Sequence, residues 1–358
     1  MFALSLRVKR IVCGLFLLTL LGVFWGGAAH THAAPVSTTV PTWVQETLPV
    51  ALAPDQPAIY HIVGWLCWSG TLQTRTVQVL VSGGSYDHTY WDFPTQPDQY
   101  SYLRYAANAG YAVFNFDRIG QGHSDHPLAE LVTVQSNAYV IHQIILALRA
   151  GQFSGVAFQK VILAGHSLGS GITIYEASQY PGDVNGVIIT GFLHTFNSEM
   201  LAVLGSNIHP TLLDPRFAPL HYPGGYLTTK SGTRGDLFYY QPTADPAIID
   251  SDEATKGTFT DAEASTFFSQ VPLTISQQIH VPVLIAVGQY DQFFCEDSLL
   301  FTCADPATVM AYEAHYYSPD AQLQITIIPN SGHDLNLQEN ASTWFTQALA
   351  WANQAVGL

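Results

Sequence analysis

The chain has 358 residues, 48% of them hydrophobic and 11% charged, which supplies apolar material for a large core and is far from a disordered composition. Its formal net charge of −15, with no basic stripe beyond the first ten residues, argues against a nucleic-acid partner, because phosphate binding needs clustered Lys and Arg.

At the N-terminus, Arg7, Lys9 and Arg10 precede the apolar run Ile11 to Gly27, which is short for a membrane span, and small residues follow. Residues 1–34 therefore read as a signal peptide, cleaved near Ala29, Ala33 or Ala34, with an uncleaved anchor as the alternative. The expectation is a secreted or cell-envelope protein with no stable membrane insertion after cleavage. Cys13 precedes the apolar core and is not placed for lipid attachment. Residues 35–57, rich in Pro and Thr, read as a surface extension, so the folded domain is expected over 58–358.

"AIYHIVGWLCWSG" and "TVQVLVSGG" are apolar, β-branched runs closed by Gly and Ser, the pattern of strands. "YSYLRYAANAG" has helical spacing and stops at Gly110, "YAVFNFD" is a buried strand, and "VQSNAYVIHQIILALRAG" is a long helix ending at Gly151. The strand "KVILAG", a small-residue helix to Tyr180 and the strand "NGVIITGF" continue the alternation. From about 193 to 279 the period is lost, and it resumes with "VPVLIAVG", a helix near Ala307 to Tyr316, "QLQITIIP" and a last helix near Glu339 to Gln354. Strands alternating with helices predict an α/β domain, its mostly parallel sheet covered on both faces, with an insertion over it. Within the insertion, "TKSGTRGD" reads as an exposed loop.

Without Cys13, three cysteines remain. "CEDSLLFTC" closes a short loop, and a Cys295–Cys303 disulfide is expected in an oxidising compartment, leaving Cys67 as a buried thiol. No CxxC or neighbouring histidine spacing points to metal ligation by these cysteines, and no metal is expected.

In "ILAGHSLGSG" the serine stands between glycines at the end of a strand and the start of a helix. Small neighbours let the chain turn sharply there, and the following helix N-terminus offers free N–H groups to developing negative charge. Ligands in open α/β sheets bind beyond the carboxyl ends of the strands, where Ser167 lies.

These motifs resemble those of the α/β-hydrolase family over nearly everything from Tyr60 onward. "GHSLG" is similar to its nucleophile elbow, and "VLVSGGSYDHTYW" to its loop after the third strand, with Ser82 where a histidine is usual. "DRIGQGHSDHP" is similar to its Gly-x-Gly-x-Ser turn, and "GQYD" and "SGHDLNL" to its acid and histidine segments, all in the family's order. The resemblance implies an α/β-hydrolase fold with a cap insertion and the catalytic residues Ser167, His333 and Asp291. It also implies an oxyanion hole from the Leu168 N–H and the Gly84 N–H, with Ser85 as the alternative donor. A serine hydroxyl needs an adjacent base, and the base an acid to hold its tautomer. Glu296 and Asp297 stand near Asp291 as other acids, while Asp334 is too close in sequence to His333 to orient it. His166 is expected in the pocket or core. His123, His126, Asp117, Arg118, Ser124 and Pro127 are expected to be scaffold.

The function implied is hydrolysis of a small, apolar carboxylic ester through an acyl-enzyme, with no cofactor. The insertion's aromatics line an acyl or aryl pocket or form a core of their own. The alternatives are the same residues acting on a carbon–carbon, amide or lactone bond or in perhydrolysis, and a non-catalytic ligand-binding scaffold.

Overall fold

Buried parallel strands must be apolar on both faces, and every residue of "TVQVLV", "AVFNF", "GVIIT" and "VLIAVG" is buried. The computed structural model describes residues 41–73, 75–270, 274–295 and 302–358. The expected signal peptide, Glu296 and Asp297 lie outside them. In chain order the elements are β1 (Thr42–Val50), β2 (Tyr60–Trp68), β3 (Thr76–Val81), α1 (Pro97–Tyr100), α2 (Tyr102–Asn108), β4 (Ala112–Phe116), α3 (Val134–Arg149), β5 (Lys160–His166), α4 (Leu168–Gln179) and β6 (Gly186–Thr190). An insertion follows with α5 (Ser198–Ser206), β7 (Ile208–Pro210), β8 (Tyr226–Thr229), α6 (Arg234–Phe238), α7 (Pro246–Thr255), β9 (Phe259–Thr260) and α8 (Asp261–Gln270). The chain then returns through β10 (Val283–Gly288), α9 (Pro306–Glu313), β11 (Gln324–Ile328) and α10 (Ala341–Ala355).

The central sheet has eight strands in the order β1-β2-β4-β3-β5-β6-β10-β11. β1, β2 and β4 pair antiparallel, and every pairing from β4 to β11 is parallel. The strand order reverses at β3, which lies between β4 and β5, so the loops after β3 and β5 leave the same edge at a switch point. α3 packs on α4, and α10 on α1 and α2, giving the two helical layers. α3 begins in a reciprocal cap in which the Thr133 hydroxyl accepts from the Ser136 N–H and the Ser136 hydroxyl from the Thr133 N–H. The insertion builds its own antiparallel sheet, β7-β8-β9. Among the described residues, no helix is long and apolar enough to cross a membrane.

The N-terminal segment differs from expectation. It is no loose extension: all nine residues of β1 pair with β2 as an edge strand of the sheet. Its apolar side chains alternate with exposed ones, and Pro49 is tolerated because an edge strand has one unpaired side. Cys295 and Cys303 form the expected disulfide with Cα atoms 5.1 Å apart, and Cys67 is buried and free.

One buried acid makes the fold pH-sensitive. Glu176, on α4, is fully buried, and burial followed by the neighbouring Asp183 charge raises its carboxyl well above the usual range. The protonated form is favoured in the fold, so its stabilising effect is complete below about pH 4.5 and is lost as pH rises. Glu176→Gln is expected to raise stability at about pH 8 by ~1–3 kcal/mol and to flatten the fall between about pH 5 and pH 8, read from urea midpoints.

Candidate functional site

The strand-to-helix turn after β5 puts Ser167 at φ 54° and ψ −119°, a conformation that side chains rarely adopt. Such a backbone costs ~1–3 kcal/mol and persists only where its surroundings hold it. Here the Ser167 N–H donates to Thr190 O on β6 (2.9 Å), and Ser167 O accepts from the N–H groups of Ser170 (2.9 Å) and Gly171 (3.2 Å). Gly165 and Gly169 allow the crossing. A Cβ on Gly165 would sit 2.4 Å from Gly169 O, and one on Gly169 would sit 2.4 Å from Val81 O.

Ser167 opens onto a cavity of about 130 Å³, and so does His333. The His333 Nδ1 lies 2.8 Å from Asp291 Oδ2, in the loop after β10. Asp291 is fully buried, and its other oxygen accepts from the Phe293 N–H at 3.0 Å. The Tyr290 N–H donates to Ser331 O (2.9 Å), tying the loop that carries the acid to the loop that carries the histidine. Gly84 and Leu168 line the cavity beside Ser167. Among the described residues, neither backbone N–H has a hydrogen-bond partner, so both are free for a ligand.

The family model described as "Alpha/beta hydrolase family" matches residues 78–348. The chain belongs to the alpha/beta hydrolase family.

Solved structures agree in fold. An esterase from Thermogutta terrifontis is 16% identical, with 87% of this chain and 99% of that one covered and a TM-score of 0.57. A soluble variant of the monoglyceride lipase from Saccharomyces cerevisiae is 18% identical (90% and 98% covered, TM-score 0.58). An enol-lactonase from Burkholderia xenovorans is 13% identical (82% and 97% covered, TM-score 0.55). No curated protein sequence matches the chain.

Within this hydrolase fold the electrostatics separate the neighbouring histidines. Burial lowers the His333 pKa, but the Asp291 charge and hydrogen bond outweigh it and leave the ring above its ordinary value. His166 is also buried and stacks on Tyr90 at 4.2 Å, and burial followed by the His333 charge keeps it well below its ordinary value, hence neutral. Of the two places expected for it, pocket or core, it takes the core. Asp334 bonds other partners than His333: it accepts from Tyr86 OH and lies 3.3 Å from His166 Nε2. Burial pushes Asp334 up to about 6, against the opposing charges of His333 and Arg234.

The expected scaffold residues hold the turn beside the site. The Asp117 carboxylate accepts from two backbone N–H groups, those of His88 and His123, and stands 2.7 and 2.9 Å from their ring nitrogens. His88, Asp117 and His123 are spaced to hold a metal, as are His166, His333 and Asp334, but in both groups these contacts already engage the carboxylate. His126 stacks on Tyr222, and Ser124 Oγ donates to Asp117 O. Ser82, which replaces the usual histidine, is buried and donates to Gln121 Oε1.

Ten of the seventeen cavity-lining residues come from the insertion. Phe196, Phe238, Phe259, Phe267 and Phe268 face the cavity, whereas Tyr222 and Tyr226 pack with His126, so the aromatics divide between pocket and core. "TKSGTRGD" differs from expectation: Lys230 and Ser231 are exposed, but Arg234 is fully buried against Asp252. Nothing in its local composition distinguishes that arginine. Its partner lies 18 residues further on.

The crossing of β3 and α4 gives a direct test. Gly169→Ala is expected to destabilise the protein by ~1–3 kcal/mol in urea unfolding, because the new Cβ strikes a backbone carbonyl. Gly84→Ala, whose nearest contact is 3.5 Å away, is expected to leave the urea midpoint close to that of the unsubstituted protein.

Proposed function

We propose that this chain is an exported serine hydrolase that cleaves neutral, apolar carboxylic esters. The observation carrying the proposal is that Ser167 and a carboxylate-bonded His333 open onto one apolar cavity beside two free backbone N–H groups. In this reading Ser167 Oγ attacks the ester carbonyl as His333 Nε2 takes its proton, and Asp291 holds the ring and stabilises its protonated form. The Gly84 and Leu168 N–H groups receive the oxyanion. His333 then protonates the departing alcohol, leaving an acyl-serine. Water, deprotonated by the same ring, releases the acid and restores Ser167.

The lining supports the substrate class. Among the described residues, Ser85, Ser167, Thr229 and His333 bring the only polar side chains to the cavity, and no Asp, Glu, Lys or Arg lines it. A charged acyl or alkyl group would lose hydration with nothing to replace it. The solved relatives named as an esterase and a monoglyceride lipase fit the same bond class. Export rests on the N-terminal pattern, and the Cys295–Cys303 disulfide suits an oxidising compartment.

A panel of p-nitrophenyl esters of several chain lengths, with amide and lactone counterparts, tests the reading. Neutral acyl esters are expected to turn over fastest and carboxylate-bearing ones slowly. Ser167→Ala and His333→Ala are expected to lower kcat by about 10⁴-fold or more, and Asp291→Asn by about 10⁴-fold. Faster turnover of amides or lactones would move the bond class. Absence of turnover across the panel would favour a binding scaffold.

The pH profile follows from the histidine. The base must be neutral, so kcat/KM is expected to fall on the acid side with an apparent pKa above 6.5. Removing the Asp291 charge removes what raises that pKa, so the residual activity of Asp291→Asn should keep its acid limb at lower pH. An acid limb that stays in place in this variant would contradict the assigned partner.

A further inference from the structure

The loop after β3 carries the Gly84 N–H, and two buried arginines hydrogen-bond to successive parts of that loop. Arg118, in the turn after β4, donates from Nε to Ser82 O (3.0 Å) and from Nη2 to Gly83 O (3.3 Å). Gln121 Nε2 donates to the same Gly83 O at 3.2 Å. A trans peptide points its C=O and N–H in opposite directions. Holding Gly83 O toward Arg118 and Gln121 therefore turns the Gly84 N–H of the same peptide away from them, toward the cavity that Gly84 lines.

Arg234 grips the next residue. Its Nη1 donates to Ser85 Oγ (3.0 Å) and Ser85 O (3.3 Å), and the guanidinium lies 4.1 Å from the Tyr86 ring centroid. The Gly257 N–H reaches Ser85 O at 2.8 Å. Ser85 is held at φ 59°, a left-handed backbone that a non-glycine residue keeps only with external support.

Each arginine is neutralised by a carboxylate from the insertion. Arg118 pairs with Glu263 of α8, and Arg234 takes both oxygens of Asp252 of α7, at 2.8 and 2.9 Å. All four side chains are almost completely buried. Buried ion pairs add little net stability over apolar packing, but a guanidinium fork fixes direction. Here the nitrogens left over from both carboxylates reach the loop.

We propose that the insertion sets the oxyanion donor: Arg118 and Arg234, each held by an insertion carboxylate, are positioning residues for the Gly84 N–H. This rests on the hydrolase reading above. The insertion then does more than roof the cavity, because its two acids orient the arginines that aim the donor.

The test uses Arg118→Lys and Arg234→Lys, which keep the charge and lose the fork, and Ser85→Ala, which leaves both ion pairs in place. Readouts are kcat, KM, the thermal midpoint, and affinity for an alkyl trifluoromethyl ketone beside its plain methyl ketone analogue. The first ketone becomes an oxyanion on Ser167, and the second binds as a ground-state mimic. Misplacing one donor is expected to lower kcat and trifluoromethyl ketone affinity together, by about 10- to 100-fold in each lysine variant. KM and methyl ketone affinity are expected to stay within about twofold. Ser85→Ala should show the same split, smaller. Folded lysine variants with unchanged kcat and trifluoromethyl ketone affinity would overturn the proposal. So would a parallel loss of both ketones. If the lysine variants do not fold, Ser85→Ala decides by the same split. Unsubstituted protein with no Ser167-dependent turnover would instead overturn the hydrolase reading itself, whereas Ser167-dependent turnover indifferent to both arginines would overturn this inference alone.

Discussion

The structure turns on the sharp corner at Ser167. A strand that leads straight into a helix across a left-handed residue brings three backbone segments closer than side chains permit. Gly165 and Gly169 remove the Cβ atoms that would collide, and the Thr190 carbonyl on β6 anchors the corner from the next strand. The parallel pairing of β3, β5 and β6 is therefore a condition of the turn, and the turn in its place aims Ser167 out of the sheet edge. Because the strand order reverses at β3, the loop carrying Gly84 leaves that edge next to Ser167.

Around this corner the chain concentrates its buried polar groups. Only 11% of its residues are charged, yet Asp291, Asp334, Asp252, Glu263, Arg118 and Arg234 are all buried near the cavity or the loops that form it. Each has a hydrogen-bond or ionic partner in the structure, as buried charge requires. The two buried acids Asp291 and Asp334 divide their work: one bonds His333, and the other bonds Tyr86. The cavity above is apolar, so polar direction is confined to its floor. That contrast, apolar walls over a hydrogen-bonded floor, suits a neutral ester and its developing oxyanion.

Much of this was legible in the residues. Strands such as "VLIAVG" and "GVIIT" are continuous apolar runs, which only a doubly covered sheet can bury, and Gly110 and Gly151 take the left-handed backbone expected at helix ends. Ser167 sits directly after β5, and Asp291 and His333 stand in the loops that follow β10 and β11, whose composition marks them. β1 was harder to read, because a half-exposed edge strand containing Pro49 resembles a linker. Arg234 escaped for a different reason. Its burial depends on Asp252 and Ser85, 18 residues ahead and 149 behind, and local composition carries no trace of contacts that distant. Asp334 is too close in sequence to orient His333, and its actual partners, Tyr86 and His166, are likewise distant in the chain.

The central claim is that Ser167 is an activated nucleophile whose base is His333. The most direct measurement is to treat the protein with a fluorophosphonate and map the adduct by peptide mass spectrometry, beside Ser167→Ala and His333→Ala. The account predicts a single adduct on Ser167, absent in the first variant and formed far more slowly in the second. A folded protein that stays unlabelled, or labels at the same rate without His333, would contradict it.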